Sequence, residues 1–321
     1  MTLLSRMAAD MGLSSAYIHK IAVSASHRYK VYSVRKRTGG RRVIEHPARE
    51  LKLLQTWLLD KLFSHFRASD SVYSYRIGKS IRGHANNHRR NSFLLKIDLK
   101  DFFPSITSED VYKFLKDRQN DLSSPLTPTD CRLIAAIVCR RGRLTIGAPS
   151  SPAISNSILY RFDLAIATFC RQRGVTYTRY ADDLFFSTNT PNLLTEINKE
   201  VRRCLSALPY PRLKINPEKT VFTSRKRLRL VTGVVLTSDK RLSVGRAKKR
   251  MLRTLVYLFS TDRLDEKKTA YLRGNLAYVA SIEPTFIGSL EKKFGKRVLD
   301  RLHKQPLINL KPKSRSAEGF K

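Results

Sequence analysis

Thr176 to Ser187 reads TYTRYADDLFFS. Two adjacent aspartates, Asp182 and Asp183, stand at a tight turn between two β-forming stretches, Thr176 to Tyr180 and Leu184 to Ser187, which is the pattern of a hairpin. Ionised neighbours in such a place repel each other and are costly unless a cation holds them. A plain surface turn is the alternative reading, because Asp is common in turns. Working outward, a second acidic position shifts the balance. Phe93 to Ser105 reads FLLKIDLKDFFPS, a short apolar strand that ends on Asp98, where a lone carboxylate has little structural reason to be. Asp98 beside the Asp182 and Asp183 turn completes a site for two Mg²⁺ ions about 3.5–4 Å apart, with Mn²⁺ able to substitute. The chemistry this implies is nucleotidyl transfer or its reverse.

Strands and helices around these segments alternate without a fixed period, which predicts an α+β class and not a regular βαβ series. Residues 1–27 carry apolar positions spaced for two short helices. Tyr29 to Val34 alternates as a strand, Arg35 to Arg42 with Gly39 and Gly40 makes a basic turn, and Arg42 to Glu45 returns as a second strand. Leu51 to Phe66 is amphipathic. Ser108 opens a helix with acidic residues in its first turn. Pro152 to Arg173 reads as one long core-facing helix, and Leu193, Ile197, Val201, Leu205 and Leu208 form one face of another, lying under a sheet. Beyond residue 240 the pattern is helical, with Met251, Leu255 and Leu258 predicted to face the protein. Lys311 to Lys321 reads as a frayed tail.

Charge narrows the partner. The 321 residues hold 62 Lys and Arg against 26 Asp and Glu, a net +36, while a 41% hydrophobic content still allows a core. Nucleic acid and anionic membrane are the common polyanions that match such charge. The longest apolar run, Leu133 to Cys139, falls far short of the roughly 20 residues of a spanning helix, and the N-terminus offers no signal segment. Cys131, Cys139, Cys170 and Cys204 are widely spaced with no CxxC pair, as free thiols of a reducing compartment would be, so a cytoplasmic location without membrane contact is expected.

With both acidic segments in place, the chain resembles the reverse transcriptases. YADD at Tyr180 to Asp183 matches the family's signature turn, and the Asp98 segment matches its first metal-binding motif. GAPSSP at Gly147 to Pro152, LKINPEKT at Leu213 to Thr220 and VTG at Val231 to Gly233 follow in the family's order, and Arg42 to Leu59 resembles its fingers segment. VTG and an A-x-x-H trace at Ala85 to His88, with His84 where Asn is usual, point to the bacterial retron branch. So does the short stretch after Leu302. The match covers roughly residues 28 to 300.

The resemblance implies a right-hand polymerase: an N-terminal helical segment at 1–27, fingers with an insert at 28–92, palm at 93–240, a basic helical thumb at 241–305 and a tail at 306–321. Asp98, Asp182 and Asp183 are then the metal ligands, joined by the carbonyl of Leu99. Phe103 is implied as the wall that excludes a ribose 2′-OH, with core packing as its alternative. Arg42 and Arg49 are implied to grip the triphosphate of the incoming dNTP, with Gly147 beside the nucleotide, and Lys219 to act as general acid on the leaving pyrophosphate. For each of these cations a solvated basic face is the alternative. Ile146 stands where the family has a Gln that contacts the sugar.

His84 and His88 lie four apart, the spacing of a zinc pair, but RNA contact is the better functional reading. Val231, Thr232 and Gly233 are assigned to RNA as well. Arg246, Lys248, Lys249, Arg250 and Arg253 are read as thumb contacts to RNA phosphate, against a solvated helix face. The implied activity copies part of a cognate structured non-coding RNA into branched multicopy single-stranded DNA, primed from an internal guanosine 2′-OH. The implied setting is antiphage defence with a separate effector protein, host RNase H trimming the template. A group II intron-like enzyme and a catalytically idle RNA-binding protein are the alternatives.

Overall fold

A computed structural model describes residues 2–36, 39–122 and 124–304. Arg37 and Thr38 of the basic turn, the last residue of the 241–305 segment and the whole 306–321 tail lie outside the described residues. The chain divides into two compact units, Met1–Arg227 and Leu228–Lys321. That division falls within the 93–240 stretch, so residues 228–240 group with the helices that follow them.

In the first unit, helices α1 (Leu3–Met11) and α2 (Ser15–Val23) precede the strands β1 (Tyr29–Arg35) and β2 (Arg41–Pro47), then α3 (Arg49–Lys61) and α4 (Ile81–His88). Strand β3 (Phe93–Lys100) is followed by α5 (Ser108–Asp117), α6 (Pro128–Val138), α7 (Ser151–Ile158) and α8 (Tyr160–Arg171). The unit ends with β4 (Thr176–Tyr180), β5 (Asp183–Thr188), α9 (Leu193–Ala207) and β6 (Lys214–Ser224). Strands β1 and β2 make a separate antiparallel ribbon, and the main sheet has the order β4-β5-β3-β6. Its two inner strands are buried on both faces, which is why FLLKI and LFFS read as continuous apolar runs and not as alternation.

Two apolar cores flank the sheet elements. One gathers Met7, Ile18, Leu54, Leu58, Ile134 and Ile154 from the N-terminal helices with α3, α6 and α7. The other packs Leu95, Ile97 and Phe186 of the sheet against Phe162 and Ile166 of α8 and Ile197 and Val201 of α9. Helices α5 and α6 each open on a capping box, Thr107 with Asp110 and Thr127 with Asp130; such caps contribute about 1 kcal/mol each.

The single helix expected over Pro152 to Arg173 is in fact two, broken at Leu159. The Ser155 hydroxyl donates to the Pro152 carbonyl at 2.9 Å and the Ser157 hydroxyl to that of Ala153 at 3.1 Å. Hydroxyls bonded back onto their own helix bend it, and here they end α7.

In the second unit, β7 (Arg229–Val231), β8 (Val234–Leu236) and β9 (Leu242–Ser243) form an antiparallel sheet before α10 (Arg246–Ser260), α11 (Glu266–Ile282), α12 (Pro284–Phe294) and α13 (Lys296–Lys304). The VTG motif has a local cause. Val231 pairs with Val234, and Thr232 and Gly233 both take positive φ, +48° and +81°, as a two-residue hairpin turn of the primed kind demands. On α10 the buried stripe is Leu252, Val256 and Phe259, one residue on from the expected Met251, Leu255 and Leu258, which are half-buried. No helix among the described residues is long and apolar enough to cross a membrane. All four cysteines are free thiols, three of them buried, and burial pushes Cys139 and Cys170 up to about 12.

Candidate active site

Strand pairing brings the acidic segments together. Asp98 on β3 lies directly opposite Asp183 on β5 and opposite Asn216 on β6. The Leu99 N–H donates to the Asp182 carbonyl at 2.9 Å, fixing the turn to the end of β3. Between β4 and β5 the turn is only two residues, Ala181 and Asp182, and Ala181 is held at φ +55°. A non-glycine residue there costs on the order of 1–3 kcal/mol, so the surroundings must over-determine it.

A bulge on β6 supplies the cation. Register on β3 runs from Lys96 opposite Val221 to Asp98 opposite Asn216, so residues 217–220 loop out against a single residue. The Thr220 hydroxyl closes this loop on the Asn216 carbonyl at 2.9 Å. Lys219, inside it, places Nζ 3.3 Å from both oxygens of Asp98. On the other carboxylate, Lys96 Nζ stands 2.8 Å from Asp183 Oδ1. Burial raises Asp183 to about 6 even though Lys96 opposes it, and burial together with the neighbouring Asp98 charge raises Asp182. No three His, Cys, Asp or Glu side chains among the described residues are grouped as a metal cage. The donor set itself, hard carboxylate oxygens at one strand end, suits Mg²⁺.

Asp98, Leu99 and Asp182 open onto a cavity of about 880 Å³. Its other walls are basic: Lys36, Arg41, Arg42, Arg140, Arg141, Arg143 and Lys219, with Phe103, Ile146 and Tyr75 between them. An acidic floor facing a cationic wall fits a ligand that is anionic and carries its own cations. Arg42 lines this cavity, whereas Arg49 is exposed at the start of α3 and does not. Phe103 is half-buried at the cavity and touches both apolar cores. Gly147, at φ +119°, faces β2: a Cβ there would lie 2.9 Å from the Glu45 carbonyl oxygen. Its lack of a side chain lets the Glu45 N–H reach the Ile146 carbonyl at 2.8 Å, and Glu45 also pairs with Arg140. Arg140, Arg141 and Arg143 were not singled out in the sequence; their closeness in the chain is the signal, and the fold turns them towards the carboxylates.

Three of the assignments to RNA need correction. His84 and His88 are wholly buried. His84 Nε2 and His88 Nε2 each lie 2.7 Å from the Thr178 hydroxyl, and His88 Nδ1 lies 2.7 Å from that of Ser187. His84 also stacks on Tyr73 and Tyr180, with centroids 5.1 and 5.7 Å away. Burial lowers both histidines to about 3, so they are neutral and internal, neither stacking on RNA nor pairing with phosphate. Val231 is buried too, so in VTG only the turn residues Thr232 and Gly233 reach the surface. On α10, Lys249 pairs with Glu283 of α12. Lys248 lies over the Tyr278 ring at 4.4 Å and Arg253, itself exposed, over Phe286 at 5.1 Å; Arg246 and Arg250 are exposed too.

Residues 34–269 match the family described as reverse transcriptase (RNA-dependent DNA polymerase), and the chain belongs to that family. It is an RNA-directed DNA polymerase of right-hand fold. Within the family it stands with the bacterial retron enzymes. It is 38% identical to retron Ec83 reverse transcriptase of Escherichia coli over 289 residues, 87% of this chain and 91% of that protein. To retron Ec86 reverse transcriptase of the same species it is 32% identical over 300 residues, 90% of this chain and 89% of that one. Among solved structures, telomerase from Candida albicans with a fragment of telomeric RNA is similar at a TM-score of 0.47 and 14% identity, covering 82% of this chain and 56% of that one.

Proposed function

We propose that this enzyme copies part of its own structured RNA into branched single-stranded DNA, starting from an internal guanosine 2′-OH, in a two-metal reaction. The observation that carries the reaction is the register of Asp98 opposite Asp183, with Asp182 tied to Leu99, at the acidic end of a basic cavity. Asp98, Asp182, Asp183 and the Leu99 carbonyl are the groups that would hold two Mg²⁺ ions. When bound, such a pair supplies charge for the attacking and leaving oxygens. Arg42 and the Arg140, Arg141 and Arg143 wall take the dNTP phosphates, the guanidinium fork matching their oxygens. Phe103 closes the space a ribose 2′-OH needs. Lys219, beside Asp98, gives a proton to the departing pyrophosphate. In the second unit, Arg246 and Arg250 hold RNA phosphate.

The retron relatives support the cognate-RNA product over a group II intron-like one. Action in antiphage defence with a separate effector, and template trimming by host RNase H, belong to the same reading. The test is extension on the cognate RNA: the product should keep a short RNA after ribonuclease digestion and lose it to a debranching enzyme. A linear product begun from a 3′-OH would overturn the branch.

A further inference from the structure

The carboxylate turn is gripped from behind by a segment that the chemistry above leaves unused. Residues 69–75 run along the outer edge of β4: the Arg179 N–H donates to the Ser71 carbonyl and the Tyr73 N–H to the Arg179 carbonyl, each at 2.8 Å. The segment then delivers Ser74, whose Oγ accepts the Ala181 N–H at 2.8 Å. From the other side Arg179 Nη1 donates to the Ala181 carbonyl at 3.2 Å. Both backbone groups of the left-handed residue are therefore engaged.

The grip closes on itself. Arg179 Nη1 also donates to Asn156 Oδ1 at 3.2 Å, and Asn156 Nδ2 donates to the Ser74 carbonyl at 3.1 Å. Ser74, Ala181, Arg179 and Asn156 thus form a ring, anchored by the Arg179 fork on Asp163 at 2.8 and 2.6 Å. Ser74, Arg179 and Asp163 are fully buried, so water cannot replace a missing partner.

We propose that Ser74 is a positioning residue for Asp182 and Asp183: its hydroxyl holds Ala181 in the left-handed conformation and so sets where the two carboxylates point. This rests on the reading of Asp182 and Asp183 as metal ligands. Removing the hydroxyl strands a buried N–H beside a conformation that alanine avoids. The peptide before Asp182 then relaxes, and the carboxylates spread before the fold is lost.

The experiment uses the full chain carrying Ser74→Ala. Two readouts are compared with wild type: kcat and KM for dNTP on an RNA template with a DNA primer, and Mn²⁺ affinity by electron paramagnetic resonance without nucleotide. Expected is a fall of roughly 10- to 100-fold in both kcat and Mn²⁺ affinity, with KM and template affinity within about twofold. Ser74→Cys, which keeps the bulk with a weak acceptor, should fall between, and it carries the test if the alanine variant does not fold. A kcat and Mn²⁺ affinity within about twofold of wild type in folded Ser74→Ala, or in Ser74→Cys where the alanine variant does not fold, would overturn the assignment. Asp182→Asn, run beside them, separates the two ideas. If it keeps full Mn²⁺ affinity, the metal reading fails; if it loses affinity and Ser74→Ala does not, only the positioning role fails.

Discussion

Around the β4–β5 hairpin lie two sets of polar groups that look functional in sequence, the carboxylates at its turn and the α4 histidines on its face, and the molecule treats them in opposite ways. At the turn, Asp182 with Asp98 lines an open cavity, its charge opposed by cations that a ligand could displace. On the strand face, His84 and His88 are sealed between α4 and the sheet, each bonded to hydroxyls of Thr178 or Ser187. Both sets are costly to bury. The histidines avoid the cost by staying neutral and hydrogen-bonded, whereas the carboxylates keep theirs beside a cavity with lysines next to them. The difference teaches that the fold, more than residue type, decides whether a polar group is sealed and satisfied or left at an open cavity.

The largest effect should come from cutting the support. Asp163→Asn breaks a buried pair with Arg179 and a bond from the Tyr177 hydroxyl at 2.7 Å. Urea unfolding should show a loss of about 3–5 kcal/mol. A loss under about 1 kcal/mol would mean the strand is not braced there.

The histidine face makes a pH prediction with a definite sign. Both folded values, about 3, lie below the unfolded 6.5, so between those limits the unfolded chain binds protons that the folded chain refuses. Stability is therefore fully present above pH 6.5 and declines as pH falls towards 3, by up to about 1.4 kcal/mol per unit for each histidine. His84→Phe with His88→Leu should flatten that decline in chemical denaturation. An unaltered slope would place the histidines in water after all.

Phe103→Ala should raise ribonucleotide use relative to deoxynucleotide by roughly tenfold in kcat/KM. An unchanged ratio would make Phe103 a core residue only. The smallest effect is expected on α10, where the same contrast recurs between an engaged and an exposed cation. Arg250→Glu should lower the log–log salt slope of RNA binding by about 0.9 with stability intact, whereas Lys249→Glu should lower stability through Glu283. Equal behaviour of the two would remove the distinction.

Much of the palm was readable because its signals are local. The Asp98 strand, the YADD hairpin and the α9 stripe each declare themselves within a dozen residues. What was not readable depended on partners far along the chain. The hydroxyls that hydrogen-bond His84 and His88 lie about a hundred positions away, so a buried pair looked like an exposed one. Lys219 read as a family position, but the bulge that aims it at Asp98 comes from register with β3. On α10, Met251 and Leu252, Leu255 and Val256, and Leu258 and Phe259 give two apolar stripes of equal period. Only packing chose between them. Ser74 gave no signal, since its role exists only where it meets Ala181.

The central claim is that the acidic end of the sheet performs the reaction and its flanks hold it in place. The most direct measurement is single-nucleotide extension of a DNA primer on an RNA template, in saturating Mg²⁺, by Asp182→Asn. The account predicts a rate lower by roughly 10³-fold, with template affinity and unfolding midpoint near wild type. Extension at close to the wild-type rate would contradict it.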